Sequence, residues 1–160
     1  MLPLFNTDGF LPVGQHIVSE KSIHESLVIP FSDSNRRYLF DNWQRYNRRL
    51  KDLLNITQLH QWIDGSFVTI KMHPNDIDFV TFLEGSIFEN KEKHKEMDRF
   101  WSFSNEDKGL DAYFLAEIEE GHPDYIELVR FKNVWAKRYS NGSKGDYLHT
   151  IQKGFIQITF

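Results

Sequence analysis

The chain has 160 residues, 40% of them hydrophobic and 15% aromatic, which is material for one domain with a sizeable core and argues against a disordered chain. A formal net charge of -4 argues against a dedicated duplex-DNA or membrane-surface protein, because both partners demand an excess of Lys and Arg. The lack of cysteine excludes disulfides and thiolate metal sites and, with no apolar run of about 18 residues, predicts a cytoplasmic protein that does not span a membrane.

In chain order, residues 2–15 read as an irregular lead-in whose turn formers, Asp8-Gly9 and Pro12-Val13-Gly14, alternate with Leu4, Phe5, Phe10 and Leu11. Ser19 caps a short helix with Ile23 and Leu27 on one stripe, ended by Pro30. A long helix starts at Ser34 or Asn35 and buries Leu39, Trp43, Tyr46, Leu50, Leu53 and Leu54. Its other side carries Arg36, Arg37, Arg45, Arg48, Arg49 and Lys51, which reads as a solvated face, with a nucleic-acid or triphosphate platform as the alternative. Residues 59–63 and 76–82 then predict strand, turn, strand. The charged stretch 91–100 predicts an exposed helix or excursion, and Leu110 to Ala116 a central strand buried on both faces. A helix follows Pro123 with Tyr125, Leu128, Trp135 and Tyr139 on one face; residues 140–146 read as a loop and 155–160 as a last strand. The expected fold is α+β, a small mixed sheet flanked by helices, in a single domain 1–160. Its parts are a lead-in with helices (1–57), a core (58–118) and a closing helix and strand (119–160).

Chemistry concentrates in Trp62-Ile63-Asp64-Gly65-Ser66-Phe67 and in Asp76-Ile77-Asp78-Phe79. On a strand, Asp76 and Asp78 send both carboxylates to one face. Asp111 places a third acid in an apolar strand, where charge is costly unless paired or bound to metal. Such carboxylates suit Mg²⁺ or Mn²⁺ completed by substrate phosphates. Gly65 lets backbone approach those phosphates, and the Ser66 hydroxyl can bind their oxygens. Lys71 and His73, in the polar connection, are phosphate contacts or ordinary turn residues, and Lys71 is kept with Gly65 and Ser66 in the nucleotide-binding set. His16 and His24 read as structural hydrogen bonders, Lys144 and Lys153 as solvated lysines with pairing to a triphosphate as the alternative, and Glu117 as the next acid should Asp111 fail.

Gly65-Ser66 followed by Asp76-Ile77-Asp78-Phe79 resembles the signature of the nucleotidyltransferase superfamily, to which DNA polymerase beta and the minimal nucleotidyltransferases belong. The resemblance implies metal binding by Asp76 and Asp78 and is best completed by Asp111. Leu11-Pro12-Val13-Gly14-Gln15-His16, residues 62–69, residues 74–78 and Lys153-Gly154 also look like a bacterial family of nucleotidyltransferase-like proteins with no settled substrate. Asp64 stands where the superfamily has an apolar residue. The implied activity is metal-dependent transfer of a nucleoside monophosphate from an NTP to a hydroxyl of a protein, an RNA or a small molecule. The alternative is a non-catalytic interaction module of the same fold, such as an antitoxin-like partner of a toxin.

Overall fold

The structure is a computed structural model that describes residues 1–104, 109–143 and 150–160. Its strands in chain order are β1 (Gly14–Ile17), β2 (His60–Asp64), β3 (Ile77–Glu84), β4 (Leu110–Glu117), β5 (Asn141–Ser143), β6 (Thr150–Gln152) and β7 (Gly154–Thr159). Five of them form a mixed sheet in the order β1-β7-β2-β3-β4, and β5 pairs with β6 in a separate ribbon. The helices are α1 (Glu20–Leu27), α2 (Ser34–Leu54), α3 (Gly85–Glu89), α4 (Lys91–Ser104) and α5 (Tyr125–Tyr139). The fold is α+β, as expected. Among the described residues no helix is long and apolar enough to cross a membrane.

Alternation along the strands splits the apolar residues between two faces. Ile63, Ile77, Phe79, Leu83, Ile156 and Ile158 meet the stripe of α2, Leu39, Trp43, Tyr46, Leu50 and Leu54, with Ile23 and Leu27 of α1. Each such side chain contributes roughly 1.5–3 kcal/mol by leaving water. On the opposite face Trp62, Val80, Phe82 and Phe155 lie under Tyr139 and Trp135 of α5. The long helix needs its ends satisfied: Asp33 accepts from the Asn35 N–H at the start, and Asn55 turns left-handed at φ 53° to stop it. One polar cluster is buried in this interior. Gln61 accepts from Trp43 Nε1 at 3.0 Å and donates to Asn47 and Thr81 at 2.8 Å each, so burying it leaves its amide paired.

Arg36 overturns its expected place on the solvated face. Its side chain is wholly buried, and the guanidinium donates to the carbonyls of Leu27 (3.0 Å), Phe67 (2.8 Å), Thr69 (2.7 Å) and Lys71 (2.5 Å). Phe31 covers it, 3.9 Å from ring centre to guanidinium carbon. Burial pulls its pKa down to about 10, so it remains a cation at neutral pH. Arg37, Arg45, Arg48 and Arg49 are exposed as expected.

Other expectations shift with tertiary context. The lead-in contains β1, which runs parallel to β7. The strand Leu110–Glu117 is an edge strand, parallel to β3, and of its residues only Ala112 is buried. Helix α4 is packed rather than free, with Met97 and Phe100 in the core. Part of the expected loop is strand β5; its residues 144–146, Lys144 among them, lie outside the described residues.

Replacing Arg36 by Met leaves those carbonyls without their donor in a dry site, which should lower the unfolding free energy by about 3–5 kcal/mol in urea titrations. Arg36→Lys, with one ammonium for the same acceptors, should recover only part of the loss. An unchanged midpoint for Arg36→Met would show that the 65–71 connection is held by other contacts.

Candidate functional site

Register decides the site. Strand β2 runs antiparallel to β3 with Asp64 opposite Asp78, and β4 runs parallel to β3 with Asp111 opposite Asp78. Residues opposite one another project to the same face, with strands about 5 Å apart. Three aspartates therefore stand in a row across three neighbouring strands, on the face that carries Trp62 and Val80 and is covered by α5. Asp76 precedes β3 instead of lying in it, yet its charge still reaches Asp78.

The electrostatics record the crowding. Burial raises the Asp78 carboxyl to about 7, helped by the charges of Asp76, Asp111 and Asp64 and by a hydrogen bond with Asp111. Like charges this close cannot all ionise without a compensating cation. The Tyr113 hydroxyl donates to Asp111 Oδ2 at 3.1 Å. The Tyr139 hydroxyl is buried with no hydrogen-bond partner among the described residues, and burial, with the charges of Asp78 and Asp64, pushes its ionisation upward. These oxygens are the hard donors that Mg²⁺ or Mn²⁺ takes. Among the described residues, however, no three His, Cys, Asp or Glu side chains already stand as a closed metal-ligand group.

Beside the row lies a cavity of about 530 Å³, lined by Phe10, Asp64, Gly65, Ser66, Lys71 and Lys153 among others. Gly65 sits at φ 80°, and a Cβ there would overlap the Asp78 carboxylate, so only glycine lets that acid rest on the β2–β3 connection. Ser66 opens a single 3-10 turn, Ser66–Val68, closed by Thr69 Oγ1 donating to the Ser66 carbonyl at 2.8 Å. The Lys71 side chain is exposed at the rim, while its backbone is fixed by Arg36 and by its N–H donating to Thr69 Oγ1. Sequence residues far apart thus share one end of the sheet: Asp76, Asp78 and Asp111 together, and Gly65, Ser66 and Lys71 at the adjoining cavity.

Lys153 corrects its reading as a solvated lysine. Its side chain is buried and its ammonium donates to Asp64 Oδ1. Burial moves the Asp64 carboxyl up to about 6, against the downward pull of Lys153. In the sequence Lys153 has a triphosphate as its alternative partner and nothing links it to Asp64, since a contact spanning 89 positions leaves no local pattern. The available signal was Asp64 itself, two residues beyond Trp62 on the same strand face.

The remaining candidates settle elsewhere. His16 Nε2 lies 2.7 Å from the Pro12 carbonyl, and His73 Nδ1 lies 3.4 Å from Asp33, both structural arrangements. His24 lies against Phe40 with the rings tilted, 5.2 Å between their centres. Glu117 cannot stand in for Asp111, because six residues along β4 separate them by about 20 Å, and it accepts from Lys132 at 2.8 Å.

A family model described as a family of unknown function, DUF6932, matches residues 3–159, and the chain belongs to that family. Nothing among the curated proteins or the solved structures matches.

The raised Asp78 pKa has a stability consequence whose sign is fixed. Folding lifts this carboxyl from 3.8 to about 7, so between those values the folded chain holds a proton that the unfolded chain releases. Stability is greatest below the lower value and is lost as pH rises through the upper one. In metal-free buffer, Asp78→Asn should therefore raise Tm by roughly 2–6 °C near pH 7.5 and change it little near pH 4. A lower Tm for the variant at both pH values would show that the carboxylate is stabilising and the row not in conflict.

Proposed function

We propose that this protein is a cytoplasmic, metal-dependent nucleotidyltransferase of the nucleotidyltransferase superfamily. It moves a nucleoside monophosphate from an NTP to a hydroxyl and releases pyrophosphate. The observation that carries the reading is the carboxylate row, Asp64, Asp78 and Asp111 in register, with the charge of Asp76, just before β3, felt by Asp78. It is a costly arrangement that a divalent cation would relieve.

Asp76 and Asp78 would hold Mg²⁺ or Mn²⁺, with Asp111 completing the set. When bound, the ions neutralise the triphosphate and its departing pyrophosphate and lower the pKa of the acceptor hydroxyl. Gly65 keeps the backbone thin beneath Asp78, Ser66 offers its hydroxyl to phosphate oxygens, and Lys71 contributes a cation at the rim. Asp111, fixed through Oδ2 by Tyr113, works on the acceptor side and favours deprotonation of the attacking hydroxyl. The acceptor is a protein, an RNA or a small molecule.

A second reading is a non-catalytic interaction module, such as an antitoxin-like partner of a toxin. It is supported by Ile126, Val129, Phe131 and Val134, large apolar side chains that α5 exposes.

The test uses α-labelled NTPs, Mg²⁺ or Mn²⁺ and cell extract, with isothermal titration alongside. Wild type should transfer label to a macromolecule. Asp76→Asn and Asp78→Asn should weaken metal-dependent NTP binding by about tenfold or more, whereas Asp111→Asn should keep NTP affinity within about threefold and lose transfer. Wild-type protein that binds neither metal nor nucleotide favours the interaction module.

A further inference from the structure

We propose that Lys153 forms, at the wall of the 530 Å³ cavity, an anion subsite for a polyphosphate group, with Asp64 holding its ammonium in position. The proposal rests on the nucleotidyltransferase reading and sharpens it by naming the residue that takes the phosphates.

The backbone places Lys153 tightly. It is the single residue between β6 and β7; its N–H donates to the Ser140 carbonyl at 2.9 Å, and the next N–H, of Gly154, donates to the Leu11 carbonyl at 3.0 Å. The side chain then runs along the ribbon, where a Cβ on Gly142 would come within 3.0 Å of its Cδ. Its ammonium is delivered to Asp64, and both residues line the cavity.

Stability does not account for this pair. A buried ion pair is on balance no better than an apolar pair of the same volume, because both charges must leave water. Here the acid also adds to the repulsion on Asp78, which an apolar residue would avoid. The arrangement makes sense if a cation is needed at that point of the cavity wall. An ammonium has three donors, and the bond to Asp64 uses one of them.

The surroundings agree in chemistry. Ser66 brings a hydroxyl and Lys71 a second cation to the same cavity, whose lining also includes the acid Asp8, and the row of carboxylates stands beyond Asp64. A ligand spanning the two needs negative charge toward Lys153 and Lys71, and a metal ion toward Asp76, Asp78 and Asp111. A metal-chelated polyphosphate has that polarity, and a neutral sugar or a cationic amine does not.

The experiment measures tripolyphosphate and NTP binding by isothermal titration with Mg²⁺ present, and Mn²⁺ binding alone by electron paramagnetic resonance. Asp64→Asn keeps the ammonium and should bind tripolyphosphate at least as tightly as wild type. The double variant Asp64→Asn with Lys153→Met removes both charges together and should lose at least about tenfold in tripolyphosphate and NTP affinity, while Mn²⁺ affinity stays within about threefold. A structural role alone would not separate these two variants in anion binding. If the double variant melts early, the exchanged pair Asp64→Lys with Lys153→Asp preserves charge balance and moves the cation; it should show the same loss.

A folded variant that lacks the Lys153 ammonium yet binds tripolyphosphate like wild type overturns the subsite, and the nucleotidyltransferase reading stands if label is still transferred. Tripolyphosphate binding that depends on Lys153, in a protein that transfers no label, has the opposite meaning: the subsite stands and the activity falls. Wild type that binds no tripolyphosphate and no NTP overturns both.

Discussion

The buried guanidinium of Arg36 is the constraint on which the arrangement of this protein depends. One planar group joins the end of α1, through Leu27, to the connection between β2 and β3, through Phe67, Thr69 and Lys71. That connection carries few apolar anchors beyond Phe67 and Val68, and its carbonyls have no strand to pair with. A fork of fixed N–H directions satisfies several of them at once, which a lysine could not do. Because the same connection begins with Gly65 and Ser66, the arginine holds the cavity wall from behind while touching nothing in the cavity.

In front of that wall the molecule does the reverse of stabilising itself. A sheet needs register, and register has been set by apolar residues, Ile63 against Phe79 and Phe79 against Ala112. The residues one step along are then forced to face one another, and here those are aspartates. The cost is electrostatic and local, and α5 adds to the same corner the Tyr139 hydroxyl, which has no hydrogen-bond partner among the described residues. Stress confined to one end of an otherwise well-packed sheet is the pattern expected where binding, not folding, has chosen the residues.

Much of this was legible in the sequence where the signal is periodic and local. The stripe of α2 and the strands around Ile63 and Phe79 follow from spacing, whereas the meeting of Asp78 with Asp111 is expected from the family resemblance, on condition that their strands are neighbours, as they are. What escaped was set by contacts between distant segments. Strand β1 has only four residues and finds its partner some 140 positions later. Lys153 meets Asp64 by tertiary proximity alone. Arg36 is the instructive case, since it lies three residues before Leu39 and seven before Trp43, squarely on the buried stripe, and position should have outweighed its charge. The exposed apolar residues of α5 show the converse, because a helix rich in apolar residues on several sides does not reveal which of them the sheet will cover.

The place of β7 bears on how the protein is made. Strands β1 and β2 are not neighbours until β7 enters between them, parallel to the first and antiparallel to the second. On a ribosome synthesising from the amino end, helices α1 and α2 and the β2–β3 hairpin can gather early, but the gap in the sheet stays open until Thr159 has left the exit tunnel. Through that interval β2 presents an unpaired edge with Trp62 and Ile63 beside it. The nascent chain is thus most exposed to mispairing in the interval before β7 emerges, and chaperone contact at that stage would protect the strand that carries Asp64.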